Sequence, residues 1–171
     1  METWDAIRAR RNVRLYQDQP LPAPDLEQVL EAGRRAPSAS NGQPWDFVVV
    51  TDRAQLQELA KVWAHAQHVA ASAATIALVA PVPEEALQPD RTEYDLGQAT
   101  MSIMLAAADL RIGSGHSVVA DQDRARDVLG LPESRFCAYL IALGYPADRP
   151  LRPIERPNRR PFDEVVHWGR W

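Results

Sequence analysis

The sequence of 171 residues contains one cysteine, Cys137, and one lysine, Lys61. A single cysteine excludes an internal disulfide and is typical of a protein from a reducing compartment. Cys137 lies in the apolar run F-C-A-Y-L-I-A-L, which predicts a buried thiol and not a nucleophile. Because arginine supplies almost all of the positive charge, a single arginine indicates little by itself.

Several motifs that mark catalytic or metal sites are also missing. The histidines do not form an H-E-x-x-H motif and there is no cysteine pair, so we expect no metal site. There is no G-x-S-x-G nucleophile motif and no Walker loop, and G-S-G at 113–115 is too short to identify a dinucleotide-binding turn. If the protein is an enzyme, we expect a bound cofactor to carry the reaction without a catalytic side chain.

The sequence has no apolar run long enough to cross a bilayer, and its first residues, M-E-T-W-D-A-I-R, contain no apolar signal region. Its formal net charge of -4 argues against nucleic acid as the main partner, since phosphate backbones bind basic surfaces. We therefore expect a cytoplasmic protein without a membrane or nucleic-acid partner. The length and the hydrophobic content of 46% predict a single domain over residues 1–171.

The order of apolar patterns alternates between helical and extended segments. Helical spacing predicts helices over 3–11, 24–36, 54–66, 95–110 and 122–129. Apolar and β-branched runs predict strands over 47–51, 75–80, 112–119 and 136–143. The helix at 95–110 is apolar or small on nearly every face, so we expect it to be buried all round.

Residues 146–171, here called the C-terminal arm, differ from the rest of the chain. Residues 146–161 are rich in proline and arginine and predict an extended segment without a core of its own. The apolar side chains that follow need burial; they are Phe162, Val165, Val166, Trp168 and Trp171. A long arm with an apolar end favours a clasp around a second subunit, and the alternative is an arm folded back over its own domain.

The stretch R-A-R-R-N-V-R at 8–14 concentrates four arginines at the end of a predicted helix. Arginine binds phosphate through paired hydrogen bonds, so these side chains are candidates for an anion site. Alternatively, cations at this position merely complement the helix dipole. Arg159 and Arg160 in the arm raise the same question, and by themselves they are more typical of solvated charge.

The loop at 35–45, R-A-P-S-A-S-N-G-Q-P-W, is rigid and rich in hydrogen-bonding groups. Prolines fix its backbone, while serine, asparagine and glutamine offer donors and acceptors. Such a surface suits a sugar-like chain or one edge of a heterocycle. The structural alternative is a helix stop followed by a capped turn, with Trp45 closing the core.

Three stretches together resemble the FMN-dependent nitroreductase family. They are R-R-N-V-R-L-Y at 10–16, A-P-S-A-S-N-G-Q-P-W-D-F-V-V-V at 36–50 and R-R-P-F-D-E-V-V at 159–166. The helix at 95–110 and A-L-G-Y-P at 142–146 also match, so the likeness covers essentially the whole chain. It implies an α+β fold whose central, mostly antiparallel sheet is flanked by helices. It also implies a homodimer in which each C-terminal arm adds a strand to the partner's sheet.

The resemblance also implies a cofactor site shared between two subunits. The matching positions are Arg10, Arg11, Asn12, Arg14, Pro37, Ser38, Ala39, Asn41, His116, Ser117, Val118, Val119, Arg159 and Arg160. The first three should contact the FMN phosphate and ribityl chain, and Arg14 the pyrimidine edge of the ring. Residues 37–41 should come from the opposite subunit, residues 116–119 should offer backbone amides to the ring, and one of the two arm arginines should contact phosphate.

The family's activity is implied as well: NADH or NADPH reduces FMN, and a nitroaromatic or quinone then takes the electrons in a ping-pong cycle. A specialised member such as a dehalogenase or a flavin-fragmenting enzyme is an alternative, as is a non-catalytic flavin-binding protein. Residues 83–94 are the only stretch suited to a lid over the substrate. His65 and His68 lie where some family members contact FMN, although surface or core histidines are the commoner reading of such positions.

Overall fold

A four-stranded antiparallel sheet forms the centre of the fold. In the computed structural model, which describes residues 1–83 and 88–171 without the side chains of 88–91, the strand order is β1-β2-β4-β3. The strands are β1 Asp46–Val50, β2 Ala74–Pro81, β3 Gly113–Val118 and β4 Arg135–Gly144. All three pairings are antiparallel, which confirms the predicted sheet.

Five α-helices in the described part of the chain flank the sheet, so the predicted α+β class is confirmed. They are α1 Thr3–Ala9, α2 Ala23–Arg34, α3 Arg53–Leu59, α4 Gln88–Asp109 and α5 Gln122–Leu129. Short 3-10 turns occupy Ala39–Asn41, Gln67–Ala71 and Phe162–Glu164. Of the expected lid at 83–94, residues 84–87 lie outside the described residues and 88–94 form the first turns of α4. No helix in the described part of the chain is long and apolar enough to span a bilayer.

Three helices end earlier than their apolar spacing predicts, and the second of them, expected to reach residue 36, ends at Arg34. The first was expected to reach residue 11 but ends at Ala9, because Arg10 is already extended where the chain turns to pair with β3. The third was expected to reach residue 66 but ends at Leu59. The carbonyl of Val62 accepts hydrogen bonds from the backbone of Ala120 and Asp121, at 3.1 and 2.9 Å, which takes it out of any helix.

Both faces of the sheet are covered by apolar side chains. Helices α2 and α4 cover one face, where Val29 and Ile103 are fully buried with Ile76 of the sheet. Helices α3 and α5 cover the other face around Leu56, Leu59 and Leu140, among others. Cys137 is buried in this second layer, and burial raises the pKa of its thiol to about 12.

Helix α4 is not buried all round, contrary to its composition. Ile103 is fully buried, but Met101 is 47% exposed in the single chain. Met101 lies with Trp4 and Ile7 of α1 along one open cavity, and both of those side chains are also exposed. An apolar strip therefore remains uncovered on this side of the molecule.

Residues 10–16, here called the crossing segment, run over β3 and β4 in very close contact. The amide of Val13 donates to the carbonyl of Ser114 at 2.9 Å. A Cβ at Gly113 would lie 2.7 Å from the Val13 side chain, and one at Gly115 would lie 2.4 Å from the Val13 carbonyl oxygen. The G-S-G motif therefore serves close backbone approach.

The first part of the C-terminal arm is fixed to its own domain. The amide of Ala147 donates to Leu15 O and that of Ile154 donates to Arg8 O, at 2.9 and 3.1 Å. Leu151 is 3% exposed and packs against Val13. The fold-back alternative therefore describes residues 146–154.

Beyond residue 154 the arm leaves its apolar side chains uncovered. Phe162, Trp168 and Trp171 are 69%, 84% and 99% exposed in the single chain. These are the residues whose composition predicted a need for burial. Only this outer part, 155–171, is therefore available to clasp a second subunit.

The close approach at the two glycines predicts different responses to the same substitution. Gly113→Ala and Gly115→Ala should each lower the free energy of unfolding by about 1–3 kcal/mol through overpacking. Val13→Ala should relieve part of the first loss, because it removes two of the three clashing side-chain atoms and keeps the Cβ at 2.8 Å, and none of the second, whose clash is with a backbone carbonyl. Urea unfolding of the single and double variants measures the two couplings. Equal relief in both pairs would contradict this packing.

Candidate cofactor site

Two arginines from opposite ends of the chain meet at a single cavity. Arg10 and Arg159 both line a cavity of about 670 Å³, together with Trp4, Met101 and other side chains. The pKa of Arg10 lies below its ordinary value, chiefly through burial and further through the positive charge of Arg159. Neither arginine forms an ion pair within the described residues. Two like charges held together in this way are a candidate site for an anion.

A backbone contact between α1 and the C-terminal arm explains why these arginines meet. Because Ile154 bonds to the carbonyl of Arg8, the arm runs back toward α1 and carries Arg159 to Arg10. Arg160, its neighbour, is exposed and does not line this cavity. The two arm arginines, which the sequence alone could not distinguish, therefore differ in the structure: Arg159 lines the cavity with Arg10 and Arg160 does not.

Two further basic side chains lie near Arg10. They are Arg14 of the crossing segment and His116 of β3. The pKa of His116 is lowered first by burial and then by the charges of Arg10 and Arg14. The pKa of buried His68 is also lowered, chiefly by burial, with smaller contributions from Arg14 and His116; its contact with the Gly115 carbonyl acts in the opposite direction. These effects indicate that Arg14, His68 and His116, which are distant from one another in the sequence, lie close enough to interact electrostatically.

Strand β3 offers backbone groups at the edge of the described sheet. The backbone carbonyl of Ser114 points away from β4, since it accepts a hydrogen bond from the amide of Val13. In an antiparallel strand alternate residues share a direction, so the backbone groups of His116 and Val118 point to the same edge. The side chain of Ser117 is buried, and Val119 packs against the core beside α3 and α5. Of the four predicted residues, His116 and Val118 therefore face the open side.

Arg11 and Asn12 are engaged by the protein itself. Nη2 of Arg11 donates to Oδ1 of Asp148 and to the Arg149 carbonyl, each at 2.7 Å. This side chain is only 12% exposed, so it joins the crossing segment to the arm. Oδ1 of Asn12 accepts from Nη1 of Arg10 at 3.3 Å and so helps to orient that guanidinium.

The two histidines of uncertain role lie in different surroundings. His68 is 7% exposed and its Nε2 lies 3.3 Å from the carbonyl of Gly115, directly beneath β3. Its Nδ1 has no hydrogen-bond partner among the described residues. His65 is exposed and packs edge-on against Trp63, with ring centres 4.7 Å apart. Only His68 therefore belongs to the basic group around Arg14.

The loop at 37–43, here called the polar loop, lies apart from the arginines within one chain. The backbone amide of Ala39 donates to both carboxylate oxygens of Asp95 at 3.2 and 3.1 Å, and Oγ of Ser38 accepts from the amide of Gln43 at 2.9 Å. Pro37, Ala39 and Asn41 are exposed. None of the hydrogen bonds among the described residues joins this loop to Arg10, Arg14 or Arg159. Within the described part of one chain, the loop and the arginines therefore form two groups of predicted site residues that no hydrogen bond connects.

Sequence reasoning missed two residues that shape these groups. Tyr16 donates its hydroxyl to the Val13 carbonyl at 2.7 Å, also lies 3.2 Å from the Ala142 carbonyl, and so holds the crossing segment in place. Asp95 holds the polar loop from 56 positions away. The R-L-Y that ends the arginine motif was a visible signal for Tyr16. An aspartate in an apolar helix was the corresponding signal for Asp95.

Comparisons with known proteins show the family to which the chain belongs. The model of the nitroreductase family matches residues 7–81 and 62–145. A protein of Archaeoglobus fulgidus, provisionally named an NADH dehydrogenase/NAD(P)H nitroreductase, is 35% identical over 169 residues, which cover 96% of both chains. The chain therefore belongs to the nitroreductase family.

Solved structures agree with the fold. A protein of Clostridium acetobutylicum, provisionally named an NADH oxidase, superposes with a TM-score of 0.86 at 25% identity and covers 98% of this chain and 100% of its own. An FMN-dependent nitroreductase of Clostridium difficile superposes with a TM-score of 0.85 at 21% identity, covering 97% of this chain and 98% of its own. These likenesses extend over almost the whole chain, including the C-terminal arm.

The lowered histidine pKa values predict how stability depends on pH. Below an ordinary pKa of 6.5 the unfolded chain takes up protons that folded His68 and His116 resist. The free energy of unfolding of the cofactor-free protein should therefore fall as the pH is lowered from about 7.5 to about 5. His116→Gln and Arg14→Gln should both make this slope shallower, as measured by urea unfolding at each pH.

Arg34→Gln provides the matched control for that experiment. Arg34 pairs with Glu31, whose pKa is lowered to about 2 chiefly by hydrogen bonds from Arg34 and Arg35. Its loss should lower stability by a constant amount between about pH 5 and 7.5, leaving the slope there unaltered, and should change the pH dependence only in more acidic solution. A slope that responds equally to Arg14→Gln and Arg34→Gln would contradict a local effect on the histidines.

Proposed function

We propose that this member of the nitroreductase family is an FMN-dependent oxidoreductase that takes electrons from NADH or NADPH and passes them to an electron-poor acceptor. The observation that carries the proposal is the meeting of Arg10 and Arg159 at one cavity. An oxidoreductase activity agrees with the name of the archaeal relative, and FMN with that of the clostridial nitroreductase. We infer a nitroaromatic or a quinone as the acceptor, because both are flat and electron-poor.

The residues present fit the phosphate end of FMN. Two guanidinium groups near each other, without a carboxylate partner in the described part of the chain, are stabilised by a phosphate dianion. We assign this contact to Arg10 and Arg159, with Asn12 orienting Arg10 through its 3.3 Å hydrogen bond. Arg11 forms an ion pair with Asp148, and we assign it the role of fixing the arm beside the phosphate.

The residues along β3 fit the ring end. Backbone groups of His116 and Val118 at the open edge supply donors and acceptors for a heterocycle, since both residues are exposed. We assign Arg14 to the pyrimidine edge of the ring. A fixed cation there stabilises the negative charge that accompanies reduction.

A second copy of the chain would complete the site. The exposed strip formed by Trp4, Ile7 and Met101, together with the outer arm, supplies the apolar surface that a homodimer buries. We infer that the polar loop of one subunit lines the cofactor held by the arginines of the other. We also infer that residues of the outer arm add a strand beside β1, which is an edge strand with Val49 36% exposed.

FMN held by Arg10, Arg14 and Arg159 would supply the redox chemistry, namely hydride transfer from NADH or NADPH and electron transfer to the acceptor in a ping-pong cycle. No side-chain acid or base of this protein is assigned a role in it. The protein's task is to bind, to orient and to place positive charge. Pre-assembled cations perform that task without moving during the reaction.

Arg10→Gln tests the phosphate assignment. Loss of a charged hydrogen-bond donor should weaken FMN binding roughly 10- to 150-fold. The cofactor-free variant should be at least as stable as the native protein, since the substitution removes repulsion from Arg159. Titration of flavin fluorescence measures the affinity, and thermal unfolding measures the stability.

Two controls accompany this variant. Riboflavin, which lacks the phosphate, should lose little affinity on Arg10→Gln, and Arg34→Gln should bind FMN like the native protein. Unchanged FMN affinity in Arg10→Gln, or an equal loss for riboflavin, would count against the assignment.

The full activity has a spectroscopic test. Anaerobic addition of NADH or NADPH to the FMN-loaded protein should bleach the flavin absorbance, and a quinone should then restore it. Bleaching without a second substrate present supports a ping-pong order. A protein that holds FMN but is not bleached by either nicotinamide would be a flavin-binding protein and not this enzyme.

A further inference from the structure

The polar loop contains an unusual concentration of left-handed backbone. Ser40, Asn41 and Gln43 have φ values of 51°, 54° and 48°. Residues other than glycine rarely adopt this conformation, which costs free energy unless the surroundings hold it. Such backbone clusters where a protein clamps a ligand. The surroundings of the polar loop must therefore hold it in this conformation.

Among the described residues, Asp95 of α4 forms the hydrogen bonds that hold the polar loop. Both of its carboxylate oxygens lie within hydrogen-bond distance of the Ala39 amide, at 3.2 and 3.1 Å, directly before the left-handed residues. Nε2 of Gln98 donates to the same carboxylate at 3.3 Å. Asp95 is 4% exposed, and the neighbouring Leu96 is fully buried in the core. The carboxylate is thus fixed to a helix that is anchored in the core beside it.

We propose that Asp95 is a positioning residue that holds the polar loop in its cofactor-binding conformation. This inference rests on the proposed function, in which the polar loop lines FMN held by the partner. The carboxylate fixes the Ala39 amide from below, and the Ser38 hydroxyl closes the loop by accepting from Gln43. With both ends held, Ser40 and Asn41 project between them.

The choice of a carboxylate follows from the geometry. A charged acceptor forms a stronger hydrogen bond to a backbone amide than a neutral one, and low exposure strengthens it further. Asparagine at position 95 would retain one acceptor oxygen for the Ala39 amide. Alanine would retain none and would leave that amide without its partner. The two substitutions therefore separate the hydrogen bond from the rest of the side chain.

The experiment compares Asp95→Ala and Asp95→Asn with Asp52→Ala. Asp52 caps α3 by accepting from the Gln55 amide at 2.8 Å, so its removal also deletes a carboxylate bound to a backbone amide, but away from the polar loop. Amide hydrogen exchange of Ala39 and Gln43 is measured in the cofactor-free proteins. FMN affinity is measured by fluorescence titration, and stability by thermal unfolding.

We expect Asp95→Ala to remove the exchange protection of Ala39 and Gln43 and to weaken FMN binding about tenfold. Asp95→Asn should recover most of both. Asp52→Ala should lose stability while keeping native FMN affinity and native exchange at the polar loop. Loss of stability in Asp95→Ala without loss of FMN affinity would overturn the proposal, as would equal weakening by Asp95→Asn.

A glycine at position 40 provides an independent readout. Glycine adopts positive φ without the steric cost borne by serine. The loss of FMN affinity caused by Asp95→Ala should therefore be smaller when it is measured in the Ser40→Gly background than in the native background. An equal loss in both backgrounds would count against the idea that Asp95 holds the strained backbone. If native protein fails to bind FMN at all, the proposed function fails, whereas the exchange data still test the role of Asp95 in the loop.

Discussion

The arrangement of the site depends on one close contact, the passage of the crossing segment over β3. Gly113 leaves room for the Val13 side chain and Gly115 for the Val13 backbone carbonyl, at distances that a Cβ at either position would not permit. Once this segment is in place, Leu15 and Arg8 provide the backbone groups that bind the arm. The arm in turn brings Arg159 to Arg10. A steric property of two glycines thus determines where positive charge collects.

That charge is held in an unfavourable state when no anion is present. Arg10 is partly buried and is repelled by the charge of Arg159, and the charges of Arg10 and Arg14 disfavour protonation of His116. Folding energy from the core, where Ile76, Ile103 and Leu140 are fully buried, offsets this repulsion. Binding can then use the fixed charge directly, because little reorganisation is required.

The sequence predicted the regular elements well where local pattern decides them. The strands at 75–80 and 136–143 and the helix at 122–129 agree with β2, β4 and α5 to within a residue, because apolar runs and turn residues mark them. The ends of α1 and α3 could not be read in this way, since backbone contacts with β3 and with Ala120 decide them. The resemblance supplied the candidate site residues, but not which arm arginine lies beside Arg10. Nor did local pattern reveal Asp95, whose contact with Ala39 spans 56 positions.

The chain has very few groups that react with electrophiles, which bears on the acceptors proposed for it. Quinones add readily to thiolates and to free amines. The sole thiol, Cys137, is enclosed in the core and stays protonated, and the sole lysine, Lys61, is paired with Glu58. A catalyst built with arginine as its main cation is therefore chemically resistant to the compounds it would handle.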